Sequence, residues 1–131
     1  VTKEELSKLL WINREISIEK RRLEELKAAA KDCTAKITGL PHVSGASRRM
    51  ENISILIAEQ RDLVDLKIKQ SVIEYNRLNR YISGIEDPLI RSILKLRFID
   101  GFSWLQVAMR VGGDNTADSV RKSCDRYLNS H

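Results

Sequence analysis

Helix breakers are scarce in this 131-residue chain, which holds only two prolines and six glycines. With Leu, Ile, Lys, Arg and Glu abundant between them, that scarcity favours helix throughout and an all-α fold. Cysteine is equally sparse. Cys33 and Cys124 are far apart and belong to no CxxC or Cys/His spacing, so a zinc site and a disulfide framework are not indicated, and a reducing compartment is expected. No uncharged apolar run approaches the roughly 18 residues that a membrane span needs. The N-terminus shows no secretory signal pattern either, so a soluble protein of the cytoplasm is expected, with no membrane partner. His42 and His131 have no carboxylate or cysteine at ligand spacing. No nucleophile–base set, glycine-rich phosphate cradle or paired-acid constellation is visible. The reading is therefore no enzyme, no metal and no cofactor.

What is present is helical periodicity. Thr2 and Glu5 form a capping box, and from Leu6 the residues Leu6, Leu9, Asn13, Ile16, Lys20, Leu23, Leu26, Ala30, Cys33 and Ile37 alternate steps of three and four. Nothing interrupts before Gly39 and Pro41, so this helix can run for about 35 residues, or ~50 Å. A helix of that length needs a partner. The segment from Gly39 to Gly45 reads as a loop, with Ser44 to Ser47 as capping residues for a restart. A second run from about Arg48 to Tyr81 carries Met50, Ile53, Leu56, Ile57, Leu63, Val64, Ile68, Val72, Tyr75 and Leu78. Two long helices across a short connection predict an antiparallel, coiled-coil-like hairpin over residues 1–84. The second helix is apolar on more than one face, which leaves a surface for the C-terminal segment or for a second copy.

Residues 85–131 read as a three-helix unit. Asp87 and Pro88 open its first helix, with Ile90, Ile93, Leu94 and Phe98 as the apolar stripe and Asp100-Gly101 as the stop. Ser103 caps a second helix carrying Trp104, Val107, Ala108 and Val111. Asn115 or Thr116 caps a third, carrying Ala117, Val120, Cys124, Tyr127 and Leu128. Two short amphipathic helices across a glycine turn make a helix-turn-helix, whose second helix can enter a DNA major groove. Its outward face shows Asp118, Ser119, Arg121, Lys122, Ser123, Asp125 and Arg126. Lys122 suits guanine acceptors, Asp118 suits cytosine, Ser119 suits either, and Arg121 and Arg126 suit phosphates. Trp104 and Phe102 read as core anchors, and the two cysteines as small apolar groups.

Charge is uneven. The chain's formal net charge is +5, a balance that permits a nucleic-acid partner without demanding one. Residues 20–50 alone carry that excess, through Lys20, Arg21, Arg22, Lys27, Lys31, Lys36, Arg48 and Arg49 against three acids. Most of them gather toward the loop end of the expected hairpin. They form a solvated face, with Lys27, Lys31, Lys36, Arg48 and Arg49 as candidates for a phosphate-contacting tip. Residues 85–131 have a net charge of only +1, so one copy of the helix-turn-helix should bind DNA weakly.

The run Ile93-Leu94-Lys95-Leu96-Arg97-Phe98-Ile99-Asp100-Gly101-Phe102-Ser103-Trp104-Leu105-Gln106-Val107-Ala108, with Val111-Gly112 and Val120-Arg121 beyond it, resembles the C-terminal, region-four promoter-reading domain of bacterial sigma factors. With the long hairpin added, the chain is similar to phage and prophage late-gene transcription regulators of the ArpU type. The resemblance implies base-reading positions at Ala117, Asp118 and Lys122 and a phosphate contact at Arg121. Ala117 stands where an arginine is common in that family. The seven residues Gly113 through Ser119 make the turn two longer than the family's, and Asn115 and Thr116 join the candidate DNA-contacting residues there. The function implied is a phage-encoded transcription regulator that reads promoter DNA through its C-terminal helix in the bacterial host cytoplasm. Its hairpin would serve dimerisation or contact with RNA polymerase, as a homo-oligomer with a dimer favoured. The alternatives are a DNA-packaging component like a small terminase subunit, and an interaction protein that mimics a sigma domain without binding DNA.

Overall fold

The computed structural model describes the backbone of residues 1–38 and 44–131, and the side chains of residues 1–33 and 48–131. It is all-α: α1 spans Lys3–Thr38, α2 Ser44–Ser83, α3 Pro88–Leu94, α4 Trp104–Val111 and α5 Ala117–Ser130, with no strand among the described residues. None of these helices is long and apolar enough to cross a membrane. The expected breakers Gly39 and Pro41, and His42 with them, lie outside the described residues. α2 begins a turn earlier than its apolar pattern, at Ser44.

The expected start signals operate. The Glu5 amide donates to Thr2 Oγ1 at 3.2 Å, and the Thr2 amide donates to the Glu5 carboxylate at 3.4 Å. Asp87 accepts from the Leu89 amide at 2.9 Å, with Pro88 in the first turn of α3. α3 does not continue as a plain α-helix to Asp100. It passes into a π-helical turn over Lys95–Ile99, in which the Asp100 amide donates to the Lys95 carbonyl. Gly101 then takes the left-handed conformation (φ 75°) and the Phe102 amide closes on the Leu96 carbonyl, one residue wider than the usual helix-ending bond. The wide turn brings the Arg97 guanidinium to the Phe102 carbonyl at 2.9 Å and over the Trp104 ring, whose centroid is 4.7 Å away.

The chain forms two compact units, and each long helix contributes to both. One unit consists of residues 14–69. Here α1 and α2 run antiparallel, with Ile16, Val64 and Cys33 buried. Lys67 pairs with Glu15, and Gln60 donates to the Glu19 carbonyl and carboxylate. The other unit consists of residues 1–13 and 70–131. Its core joins Leu6 and Leu9 of α1 and Leu78 and Ile82 of α2 to Ile85, Ile90, Ile93, Leu94, Phe98, Val107, Ala108, Val120 and Cys124. A three-helix core over 85–131 is thus only part of what is found. Three helices of 7, 8 and 14 residues offer too little apolar area to close on themselves, and the ends of the long helices supply the rest. Glu74, the one buried charged side chain among the described residues, meets Lys8 at 3.4 Å and Arg77 at 3.0 Å, and Arg77 also donates to the Glu5 carbonyl.

Candidate nucleic-acid interface

α4 and α5 hold the site, and local sequence fixes both ends of the connection between them. Ser103 and Gln106 make a capping box that starts α4. α4 stops at Gly112, whose backbone (φ 78°, ψ −165°) is in a region open almost only to glycine, and Gly113 follows in the left-handed region at φ 66°. The Asn115 amide group then donates to the Gly112 carbonyl at 3.0 Å, tying the turn to itself. Of the two expected caps for α5, Thr116 is the one used: its hydroxyl accepts from the Ser119 amide at 3.1 Å, and the Ser119 hydroxyl accepts from the Thr116 amide at 2.8 Å. The serine thereby plays the part that Glu or Gln plays in the ordinary box. The sequence cue for it, Thr and Ser three apart, is too common in loops to single out.

Burial orients α5. Val120 and Cys124 are fully buried, with Ala117, Tyr127 and Leu128 half-buried beside them. This leaves Asp118, Arg121, Lys122 and Arg126 exposed. Arg121 Nη2 donates to the Asp118 carboxylate at 3.1 Å, and Arg126 lies back along the helix against the Lys122 carbonyl at 3.4 Å and the Ser123 hydroxyl at 3.5 Å. Asp125 is drawn toward α1 by Lys3 at 3.1 Å. Of the seven residues expected to contact DNA, four therefore share the outward face, whereas Asn115, Thr116 and Ser119 are engaged in holding the turn. The expected tip cations are in the unit of residues 14–69. Lys27 pairs with Glu24 at 3.3 Å, Lys31, Arg48 and Arg49 are exposed, and the side chain of Lys36 lies outside the described residues.

Two further features, both in the unit of residues 1–13 and 70–131, have no signal in the sequence. Lys3 bridges toward both Asp125 and the Trp104 ring, 6.0 Å from its centroid, so the first turn of α1 braces α5. An open groove of about 640 Å³ runs between α3 and α4, lined by Pro88, Leu89, Ser92, Lys95, Leu96, Asp100, Arg110 and Val111. Its charged side chains are Lys95, Arg110 and Asp100. Among the described residues no group of three His, Cys, Asp or Glu is placed to hold a metal ion. Burial pushes the Cys124 thiol up to about 11, helped by the neighbouring Asp125 carboxylate and opposed by Lys3 and Arg97. Cys124 is fully buried in the core, where its side chain packs.

Compared with known proteins, the chain matches no family model, no curated protein and no solved structure.

Proposed function

We propose that this chain is a DNA-binding transcription regulator of phage type that reads double-stranded promoter DNA with α5, acting in the bacterial cytoplasm without catalytic chemistry. The observation that carries the reading is the division of α5: Val120 and Cys124 sit in the core shared with α4, and Asp118, Arg121, Lys122 and Arg126 stand together on the opposite, exposed face. A short helix held by α4, capped at its start and charged outward, is what insertion in a major groove requires. Lys122 donates to guanine, Asp118 accepts from cytosine, and Arg121 and Arg126 hold phosphates. Because residues 85–131 carry almost no net charge, binding of useful strength requires more than one copy, with the hairpin as the element that joins copies or meets RNA polymerase.

Selection of bound duplexes from a random pool, followed by anisotropy titration of the enriched sequence, tests this. Enrichment of a defined sequence is expected, with Lys122→Ala and Arg121→Ala each weakening binding by about tenfold. Undiminished binding by the double variant, or no enrichment at low salt, excludes it.

A further inference from the structure

In the unit of residues 14–69, α2 leaves Ile55, Leu56, Leu63 and Leu66 exposed at 57%, 44%, 36% and 54%. At 3.6 residues per turn they share an arc of about 100°, turned away from the buried Val64. Glu59 and Asp62 lie on the same face, and between Ile55 and Leu66 no base accompanies them there. On α1, Ile18 is 61% exposed and faces away from the buried Ile16. It stands among the exposed Arg21, Arg22 and Glu25. The charges along the α1–α2 seam are committed to one another, as Glu15 with Lys67 and Glu19 with Gln60 show. Among the described residues Arg21, Arg22, Glu59 and Asp62 make no ion pair with each other or with anything else.

We propose that these two faces are the halves of one contact between copies of this chain, the acidic apolar back of α2 in one copy seated on the basic back of α1 in the next. Charge selects the pairing. Two α2 backs brought together would oppose Glu59 and Asp62 to their own copies, and two α1 backs would oppose arginines, whereas α2 on α1 joins opposite signs and buries Leu63 against Ile18. Register agrees with this. Within one copy, Glu15 lies level with Lys67 and Glu19 with Gln60, so a second copy moved sideways at the same height brings Arg21 and Arg22 level with Glu59, and Ile18 level with Leu63. A four-residue apolar cluster is more than an exposed helix face ordinarily carries, and the contact removes it from water. Being heterologous, it leaves a free half at each end, so copies add in one sense until a ring closes or the row ends. This develops the self-association proposed above but does not depend on DNA reading.

Sedimentation of the full chain without DNA at low salt tests the contact. Mass is expected to rise above the monomer with concentration. Leu66→Lys, the pair Glu59→Arg and Asp62→Arg, and the pair Arg21→Glu and Arg22→Glu should each weaken association by at least about tenfold while leaving helicity and melting unchanged, since all these side chains are exposed. Each charge-reversed chain has two backs of one sign and repels itself, whereas in a mixture both junctions between unlike chains join opposite signs, so mixing the two should restore association, with the two chains alternating along the row. Three results would overturn the proposal: a wild-type monomer up to submillimolar concentration, association unaffected by the reversals, or sensitivity to the α2 reversal alone, which marks α2 meeting α2. Because no DNA is present, failure here leaves the reading of α5 standing, and loss of DNA selectivity with normal association does the reverse.

Discussion

Arg121 and Asp118 form an ion pair at 3.1 Å on the exposed face of α5, one turn apart, so the helix partly neutralises an arginine proposed above to hold phosphate. At such exposure the pair adds little to stability. Its effect falls on binding. Asp118→Asn frees Arg121 and removes a negative charge from the face proposed to meet DNA. Affinity for non-cognate duplex should rise about threefold to tenfold at low salt, the dependence on salt should steepen, and discrimination at any cytosine that Asp118 reads should fall. Anisotropy titrations at several salt concentrations check this, and a fall in non-cognate affinity would contradict it.

Leu6 is fully buried against the C-terminal core although nearly the whole chain separates them in sequence. Leu6→Ala should cost about 2–5 kcal/mol in the unit that holds α4 and α5, as a deletion in a closed core does. Denaturation followed by the fluorescence of Trp104, in a Trp11→Phe background, measures it. If Leu6→Ala left that transition in place, the first turns of α1 would be dispensable to the helix-turn-helix.

The helices and their caps were legible because their signals are local: Thr2 with Glu5, Asp87 with Pro88 and Ser103 before Trp104 each act within four residues. The stripes of α3, α4 and α5 named the buried Ile90, Ile93, Leu94, Phe98, Val107, Ala108, Val120 and Cys124 correctly. Leu6 and Leu9 were expected on the hairpin seam, but heptad spacing states only that a side chain is buried, not against what. The π turn at Lys95–Ile99 was hidden because no residue type marks one inserted position. At the candidate site, outward-facing periodicity places Asp118, Arg121, Lys122 and Arg126 on one face of α5, and all four are exposed there. Ser119, placed on the same face, and Asn115 and Thr116, added at the lengthened turn, have short polar side chains suited both to bases and to capping, and in the structure they hold the turn.

Gly112 and Gly113 bring their positive φ values to the same turn with different tolerances. A Cβ at Gly112 would meet nothing within 4 Å, so Gly112→Ala tests backbone strain alone, and a loss of about 1–3 kcal/mol is expected. Gly113 lies in the ordinary left-handed region, where asparagine is tolerated, so Gly113→Asn should cost well under half as much. Urea midpoints of the two variants give the comparison, and equal losses would place the strain elsewhere in the turn.

Burial of Cys124 ties the stability of this unit to alkaline pH. Its thiol is held at about 11 in the fold, above the ordinary value of 9.0 that applies when the chain unfolds. Below pH 9 both states keep the proton and nothing changes. Between 9 and 11 the unfolded chain releases it first and is favoured, so stability falls as pH rises through that window, by a loss on the order of 2 kcal/mol. Tyr81, also raised by burial and by its neighbour Tyr127, adds to the fall only beyond its ordinary range near 10. The thiol's share is isolated by Cys124→Ala, which should be less stable at pH 7 through lost packing yet lose less than the wild type between pH 8 and pH 10. Urea unfolding at the two pH values reads the difference, and parallel losses in both proteins would show that the thiol does not titrate with unfolding.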